Sequence, residues 1–454
     1  MKYVMIEIAY YIAGKAKQIL GGTLSVNQYK DYVLALLFLK SASEYYKSND
    51  SFQSDENKPL LRLLVSERSS FDYLYKELGS PELGKLINVA LYELEQANSR
   101  VIEGYEINRA INFQSNILGD TNERLSKLRE LIHFFQKLTL TDDAGRLIDI
   151  GALYNQLLYI FAEEAGKKIN NVLTPKEVIG LVAELIGDNK DNNSLCDPVS
   201  GSGTLLVEVG KRVGIRGANI FGQEANWNQY ALTKMNLMLN GFKDSTFFWG
   251  DSLSNPKLTD DGGLKRFDIV ASIPPFADKW ATEEAEFDRY GRFQYGIPPR
   301  SQATWAYISH ILASLKPNGR AVVVVPAGVL FRISESKIRH QIIEHNLLET
   351  VIELPQNLFY GAAISTAILV FRKDRKTTQT LFMDARKGYI SNKGIYKLSD
   401  TMVEQLLNTY KGFLSGEQVW QENSCPAYIA TQEEVRNNKY DWPVSYTHLT
   451  LPTT

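Results

Sequence analysis

Cysteine and histidine are scarce in this 454-residue sequence, and neither charge sign is in surplus. The two cysteines, Cys196 and Cys425, cannot form a disulfide framework and show no metal-binding spacing, which excludes a disulfide-stapled secreted domain and indicates a reducing compartment. Lysine and arginine number 50 against 52 acidic residues, which gives a net charge of -2. A protein that binds DNA without a partner usually has more Lys and Arg than Asp and Glu. A DNA-binding role here therefore needs a local basic patch or a partner protein.

Long apolar runs are absent as well. The most apolar stretch, Ala321 to Phe331, is interrupted by Pro326 and is shorter than the roughly 20 residues that a membrane-spanning helix needs. The chain runs from Met1 into Glu7 without the apolar core of a signal peptide. We therefore predict a cytoplasmic protein that does not enter a membrane.

The spacing of apolar residues divides the chain into segments. Residues 1–145 repeat apolar side chains at helical intervals and predict an N-terminal helical domain. Residues 146–385 alternate short apolar runs with helical stretches, which is typical of parallel strands in a doubly wound α/β sheet that binds ligands at the strands' carboxyl ends. Residues 386–442 indicate a helical or mixed C-terminal segment. The strand candidates are residues 194–197, 219–222, 268–272, 321–326, 350–354 and 367–371.

The first motif that carries chemistry is a glycine turn after the first strand candidate. Asp197 ends that strand, and Gly201-Ser202-Gly203 opens the next helical stretch. Glycine lets the backbone turn tightly and approach a ligand, and the free N–H groups at the start of a helix point at that ligand. A tight turn from strand to helix without a ligand would show the same pattern.

Two acidic residues follow later strand ends. Glu224 lies 27 residues after Asp197, near the spacing of about 20 that is typical of nucleotide-binding folds, and its carboxylate could accept both hydroxyls of a ribose. In Gly250-Asp251-Ser252, the aspartate could accept a hydrogen bond from the exocyclic amine of adenine. Taken alone, Glu224 could equally be a solvated loop carboxylate, and Asp251 could be a helix N-cap.

The fourth motif is Ile273-Pro274-Pro275-Phe276, directly after the strand candidate 268–272. Two prolines make a stiff corner and fix the direction of the preceding carbonyls. The phenylalanine offers a face for a flat ring. We expect Gly201, Glu224 and Pro274 to border one cavity at the strand ends.

In this order the four motifs resemble the γ arrangement of amino-group DNA methyltransferases. Thr174-Pro175 resembles the element that precedes the glycine motif in that family. The chain is similar, over nearly its whole length to about residue 442, to the modification subunit of type I restriction-modification systems. The segments that carry this closer resemblance are residues 28–40, 293–299, 315–321, 326–332, 338–339 and 346–355.

The resemblance implies a Rossmann-like, S-adenosylmethionine-dependent methyltransferase domain behind an N-terminal helical domain. The activity it implies is methyl transfer to N6 of a flipped adenine, without a metal, at the corner Ile273-Pro274-Pro275-Phe276. Its implied partners are double-stranded DNA, a specificity subunit, a restriction subunit and a second copy of the modification subunit. The residues it assigns to S-adenosylmethionine are Thr174, Asp197, Gly201, Ser202, Gly203, Glu224, Asp251 and Ser252.

Ile273 departs from the family, which has Asn, or in relatives Asp or Ser, at this position. In the family that side chain and the first proline carbonyl accept the two hydrogens of the adenine amine, and Ile273 offers no acceptor. Three interpretations stay open. They are a sequence error or recent mutation, a pseudo-enzyme that keeps cofactor and DNA binding, and a substitute acceptor at Ser272 or Asp278.

The last residues form a second departure. Residues 443–454 do not resemble the family and look like a translated sequencing adapter, so we expect a truncated chain with a non-native end; a genuine polar tail is the alternative. Two other enzyme classes fit less well. A nicotinamide-dependent oxidoreductase would need a third glycine and leaves Pro274-Pro275-Phe276 unexplained, and enzymes that methylate protein glutamine lack the large helical domain.

Overall fold

The structure is a computed structural model that divides into two compact units. The helical unit comprises Met1–Ile169, Gly201–Val207 and Asn226–Trp249, and the sheet unit comprises Asn170–Ser200, Glu208–Ala225 and Gly250–Thr454. The residues that it describes are 2–48, 63–99, 107–141, 148–165, 174–187, 193–359, 364–392, 395–416 and 425–443. Most of the C-terminal tail discussed above, residues 444–454, lies outside the described residues.

Helices account for most of the first half of the chain and separate the strands of the second. Their bounds are α1 (Lys2–Leu20), α2 (Val26–Ser48), α3 (Phe71–Lys76), α4 (Leu83–Ala97), α5 (Ile107–Ala110), α6 (Thr121–Lys137), α7 (Ile150–Ala165), α8 (Lys176–Ile186), α9 (Thr204–Val213), α10 (Trp227–Leu239), α11 (Glu283–Glu286), α12 (Thr304–Ala313), α13 (Ser336–Glu344), α14 (Asp400–Ser415) and α15 (Gln432–Asn437). Among the described residues, no helix is both long and apolar enough to span a bilayer.

The helical unit is built around α2. Six consecutive residues of that helix, 34–39, are fully buried, so the helix is covered on every side by its neighbours. Helix α10 belongs to the same core, because Leu232 and Met235 are buried in it and the Tyr154 hydroxyl donates to the Leu232 carbonyl at 3.2 Å. The amphipathic patterns predicted for residues 1–145 thus pack against a helix taken from later in the chain.

Strands provide the framework of the sheet unit. The strands of the whole described chain, of which β3 falls in the helical unit, are β1 (Leu195–Asp197), β2 (Ile220–Glu224), β3 (Thr246–Trp249), β4 (Thr259–Asp260), β5 (Gly263–Leu264), β6 (Phe267–Ser272), β7 (Leu315–Pro326), β8 (Leu348–Glu353), β9 (Thr366–Arg372), β10 (Thr380–Asp384), β11 (Tyr389–Asn392), β12 (Ile395–Leu398) and β13 (Ala427–Ala430). Eight strands of this unit lie side by side in the order β13-β10-β8-β9-β7-β6-β1-β2. Strands β7, β6, β1 and β2 are parallel neighbours, which confirms the predicted α/β class.

One strand runs against the prediction. We expected residues 367–371 to form another parallel strand, but β9 pairs antiparallel with both β7 and β8. Parallel neighbours need a crossover, usually a helix, and the described residues between Glu353 and Thr366 contain none. The chain instead turns back beside β8, where the Leu354 amide donates to the Thr366 carbonyl at 2.9 Å.

Burial explains why the middle of the sheet could be recognised from sequence. Residues 321–325 of β7 are all fully buried, as expected for a strand that is covered on both faces. Strand β13, from the segment 386–442, adds to the same sheet by pairing antiparallel with β10. The sheet therefore extends beyond the residues whose pattern predicted it.

Candidate functional site at the ends of the parallel strands

Three neighbouring parallel strands of the sheet unit end in predicted site residues. Asp197 is the last residue of β1, Glu224 is the last residue of β2, and Ile273 directly follows Ser272 at the end of β6. Strand β1 lies between β6 and β2, and adjacent strands are about 4.8 Å apart. The fold therefore brings two carboxylates and the diproline corner to one edge of the sheet.

Asp197 is held below the surface of this edge. Its carboxyl group is buried, and one oxygen accepts hydrogen bonds from the Ser272 hydroxyl at 2.7 Å and from the Val199 amide at 3.1 Å. Burial raises the pKa of Asp197 to about 7; the bonds from Ser272 and Val199 oppose the rise, and the charge of Glu224 adds to it. A positively charged ligand near these two carboxylates would relieve their repulsion.

The buried side chain of Gln223 joins the end of β2 to the loop that carries Asp251. Its amide nitrogen donates to the carbonyls of Gly250 and Asn255 at 2.9 Å each, and its amide oxygen accepts from the Lys257 amide at 2.9 Å. The Gly250 amide donates to the carbonyl of Glu224 at 2.9 Å. Sequence reasoning missed Gln223, whose only signal was a polar residue inside an apolar run.

Asp251 holds its own turn together. One carboxylate oxygen accepts from the Leu253 amide at 2.9 Å, and the other accepts from the Ser254 hydroxyl at 2.9 Å. Since no helix begins at this described segment, Asp251 closes a turn and is not the helix N-cap that we considered as an alternative. Each oxygen still has a lone pair for a further donor. The Ser252 hydroxyl is buried and has no hydrogen-bond partner, which marks a polar atom available to a ligand.

Tyr307 lies within electrostatic range of three acidic residues. Burial raises the pKa of its phenol, and the negative charges of Asp251, Asp278 and Glu224 raise it further. Asp278 behaves likewise, because partial desolvation of its carboxyl and the charge of Asp251 raise its pKa. Tyr307 was missed from sequence, since a tyrosine in an apolar helical stretch looks like an ordinary core residue; its ring indeed packs in a buried cluster with Leu253.

The diproline corner stands beside this acidic group. Pro274 is buried, and Ile273 and Phe276 are half-buried. The ring of Phe276 packs edge-on against Phe359, with 5.2 Å between ring centroids. Ser272, one of the proposed substitute acceptors, is fully buried and gives its hydroxyl hydrogen to Asp197, whereas Asp278 is exposed.

The glycine turn belongs to the helical unit. Gly201 and Gly203 have φ angles of 55° and 73°, in the left-handed region that favours glycine. The Thr233 hydroxyl donates to the Gly201 carbonyl at 2.6 Å, and the Asn236 side chain donates to the Ser202 carbonyl at 3.0 Å. A Cβ on Gly203 would lie 2.6 Å from the Thr233 methyl, whereas a Cβ on Gly201 would meet open space. The turn is thus rigid, with an open side at Gly201.

The remaining predicted residue, Thr174, is nearly buried and lies just ahead of helix α8. Its assignment to a cofactor stays a prediction, as does the single cavity bordered by Gly201, Glu224 and Pro274. Within the described ranges, no group of three or more His, Cys, Asp or Glu side chains is placed to hold a metal ion.

The sequence matches two known protein families. Residues 148–450 match the N-6 DNA Methylase family, and residues 15–135 match the HsdM N-terminal domain. The type I restriction enzyme MjaIX methylase subunit of Methanocaldococcus jannaschii is 26% identical, over 92% of this chain and 79% of that protein. The HindI methylase subunit of Haemophilus influenzae is 27% identical, over 79% of this chain and 81% of that protein.

Solved structures agree on the fold. The methyltransferase subunit of a type I restriction-modification system from Streptococcus thermophilus superimposes with a TM-score of 0.81 at 24% identity, covering 97% of this chain and 98% of that one. A modification subunit of a type I restriction enzyme from Vibrio vulnificus superimposes with a TM-score of 0.66 at 19% identity, over 95% and 93% of the two chains. Since the N-6 DNA Methylase match spans more than half of the sequence, the chain belongs to the N-6 DNA methylase family.

Proposed function

We propose that the chain is the modification subunit of a type I restriction-modification system and transfers methyl from S-adenosylmethionine to N6 of adenine in double-stranded DNA. The observation that carries the proposal is the alignment of Glu224, Asp197 and the Ile273-Pro274 corner at the ends of three adjacent parallel strands. The relatives named above are methylase subunits of type I restriction enzymes, which supports the same activity.

The residues at these strand ends suit the chemistry of the cofactor. S-adenosylmethionine, when bound, supplies an electrophilic methyl group on a positively charged sulfonium. The Glu224 carboxylate can accept hydrogen bonds from ribose hydroxyls, and Asp251 can accept from the adenine amine while it keeps its turn. The unpartnered hydroxyl of Ser252 is a further group for the nucleoside. The charge of Glu224 raises the pKa of Asp197, so a cation is favoured at this edge.

The glycine turn and Thr174 complete the proposed cofactor site. We assign Gly201, Ser202 and Gly203 to the amino acid end of the cofactor, because the open side of Gly201 lets a ligand approach the backbone. Thr174 is assigned by resemblance alone. Each of these assignments predicts weaker cofactor binding on substitution.

The diproline corner is the proposed site of the target adenine. An adenine rotated out of the duplex would lie against Phe276, and the Pro274 carbonyl would accept one amine hydrogen. The second hydrogen has no acceptor at Ile273. A preorganised polar group of this kind contributes about 3–4 kcal/mol to transition-state stabilisation, or roughly 10²–10³ in rate. The corner is therefore competent to bind adenine but poorly equipped to activate its amine.

Ile273 favours a second candidate function, a scaffold that binds cofactor and DNA but transfers methyl slowly or not at all. Both candidates share the proposed partners, which are double-stranded DNA, a specificity subunit, a restriction subunit and a second copy of this chain. The net charge of -2 fits a subunit that relies on a partner to read DNA. A cytoplasmic location belongs to the same proposal.

Calorimetric titration with S-adenosylmethionine tests the shared step, and radiolabelled methyl transfer to DNA in the presence of a specificity subunit tests turnover. Binding followed by transfer to adenine supports the methyltransferase. Binding without transfer supports the scaffold. If the full chain shows no saturable binding of S-adenosylmethionine at millimolar concentration, both candidates are wrong.

A further inference from the structure

We propose that Arg292 is a positioning residue that holds the Asp251–Leu253 turn in the shape needed to select the adenine ring of the cofactor. The inference rests on the proposed function, in which Asp251 accepts a hydrogen bond from the adenine amine. It concerns a residue outside the four motifs, on the loop that follows the diproline corner.

Arg292 joins two parts of the sheet unit through buried hydrogen bonds. Its side chain is 3% exposed, and Nη1 donates to the Leu253 carbonyl at 2.7 Å and more weakly to the Ser252 carbonyl at 3.4 Å. Its Nε donates to Asp288 Oδ1 at 2.7 Å, and its backbone amide donates to Asp288 Oδ2 at 2.6 Å. The planar guanidinium can serve carboxylate and carbonyls at once because its donors form a fixed fork.

The loop that carries Arg292 is itself anchored. The guanidinium lies over the ring of Phe293 at 5.2 Å, and that ring packs on Trp280 with 5.0 Å between centroids. The Trp280 indole donates to the Pro299 carbonyl at 3.2 Å, which closes the loop at its base. Arg292 therefore contacts the turn from a segment that has packing and hydrogen-bond contacts of its own.

Neighbouring charges leave Asp288 as the counterion of Arg292. His310 is 5% exposed; burial lowers its pKa to about 3, and the charge of Arg292 contributes to the fall. His310 is therefore neutral at physiological pH and does not compete for Asp288. The buried pair orients the guanidinium, which leaves Nη1 directed at the two carbonyls of the turn.

The same turn holds Asp251. The Leu253 amide donates to Asp251 Oδ1 at 2.9 Å, while the Leu253 carbonyl accepts from Arg292 at 2.7 Å. Residue 253 thus links the guanidinium on one side to the carboxylate on the other. Without Arg292 the two carbonyls lose their donor, and the turn can rotate Asp251 away from the position that reads the adenine amine.

The test compares two cofactor products that differ at the atom Asp251 would read. S-adenosylhomocysteine carries the adenine amine, and S-inosylhomocysteine carries an oxygen there. Calorimetry on the full chain gives both Kd values for the wild type, Arg292→Lys and Asp288→Asn. Arg300→Gln is the matched control, because Arg300 is 72% exposed on the same loop and pairs loosely with Glu283 at 3.8 Å.

We expect the wild type and Arg300→Gln to prefer S-adenosylhomocysteine by about 10- to 100-fold, the range of a hydrogen bond to a charged group. Arg292→Lys keeps the charge but loses the fork, and the preference should fall below about threefold. Asp288→Asn, whose amide oxygen can still accept from Nε, should give an intermediate preference. If thermal unfolding shows that Arg292→Lys is not folded, the preference is measured on Asp288→Asn instead.

Two results overturn the inference in distinguishable ways. If the wild type binds neither compound, the proposed function fails and the inference fails with it. If the wild type prefers S-adenosylhomocysteine and the folded variants keep that preference, or weaken both compounds equally, Arg292 only supports the fold. Loss of preference confined to the Arg292 and Asp288 variants is the supporting result.

Discussion

The ends of β1 and β2 differ sharply from the end of β6, although the three strands are neighbours. The first two end in Asp197 and Glu224, and Gln223 braces the loop beyond them. The end of β6 keeps its stiff prolines and Phe276 but presents Ile273, a side chain without a polar atom, where the family has an acceptor. In the proposed function, the strand ends assigned to the cofactor keep their polar groups, whereas the corner assigned to the adenine amine has lost one.

The largest expected effect concerns the end of β6, where Ile273 lacks a polar atom. Ile273→Asn should raise the rate of methyl transfer to DNA by about 10²–10³, because it supplies the missing acceptor for the adenine amine. The measurement is radiolabelled methyl transfer with a specificity subunit, beside Ile273→Leu, which adds no acceptor. If Ile273→Asn and Ile273→Leu have equal rates while both bind S-adenosylmethionine normally, a missing acceptor at residue 273 does not limit the rate.

The next largest effect concerns the end of β2, where Glu224 lies. Glu224→Gln should weaken S-adenosylmethionine binding by about 10- to 100-fold, since a charged acceptor for the ribose hydroxyls becomes neutral. Calorimetry measures it, and Glu433→Gln, an exposed change in helix α15, is the control. Equal affinities for the two variants would remove Glu224 from the site.

A pH series tests the role of Asp197. Burial raises the pKa of its carboxyl to about 7, although the hydrogen bonds from Ser272 and Val199 lower it. About a tenth of this carboxyl is ionised at pH 6 and about nine-tenths at pH 8, so binding of the cationic cofactor should strengthen up to about ninefold over that range. Asp197→Asn should abolish this dependence in calorimetry. A wild-type affinity that is flat with pH contradicts the assignment.

The same shift fixes the sign of a stability effect in the ligand-free chain. Since the pKa of Asp197 in the fold lies above the roughly 3.9 of an unfolded aspartate, the unfolded chain releases its proton first. The contribution of Asp197 to the free energy of unfolding therefore falls as pH rises from about 4 to about 7. Denaturant titrations of wild type and Asp197→Asn isolate this contribution, and an opposite slope in their difference would contradict it.

The last prediction concerns stability and separates the two glycines of the turn at residues 201–203. Gly201→Ala should cost about 1 kcal/mol of unfolding free energy from its left-handed backbone alone. Gly203→Ala should cost about 1–2 kcal/mol more, because its Cβ would lie 2.6 Å from the Thr233 methyl. Denaturant unfolding measures both. Equal losses would mean that Thr233 yields to the added methyl group.

Local pattern was sufficient to predict the strand ends but not the contacts between loops. Asp197 and Glu224 were found because parallel strands place their carboxyl ends on one edge, whatever the distance along the chain. Strand β9 was assigned the wrong direction, because an apolar run looks the same in parallel and antiparallel pairing. Gln223 and Arg292 were missed, since the carbonyls they bind in residues 250–255 lie 27 to 40 residues away and no local spacing marks them.

Asp251 illustrates a different limit of the sequence. Its position after glycine fits both a turn cap and an acceptor for adenine, and pattern alone could not choose between them. The structure shows a turn closed by the bonds from Leu253 and Ser254, with no helix after it, and these bonds leave capacity for another donor. Only measured binding of cofactor analogues can assign the second role.

Gln223 has a consequence for anyone who redesigns this protein. The Gln223 carboxamide ties the end of β2 to the single loop 250–257 through Gly250, Asn255 and Lys257, so the strand end that carries Glu224 and the loop that carries Asp251 cannot be moved apart independently. A redesign that widens the space between them must replace the side chain at 223 as well.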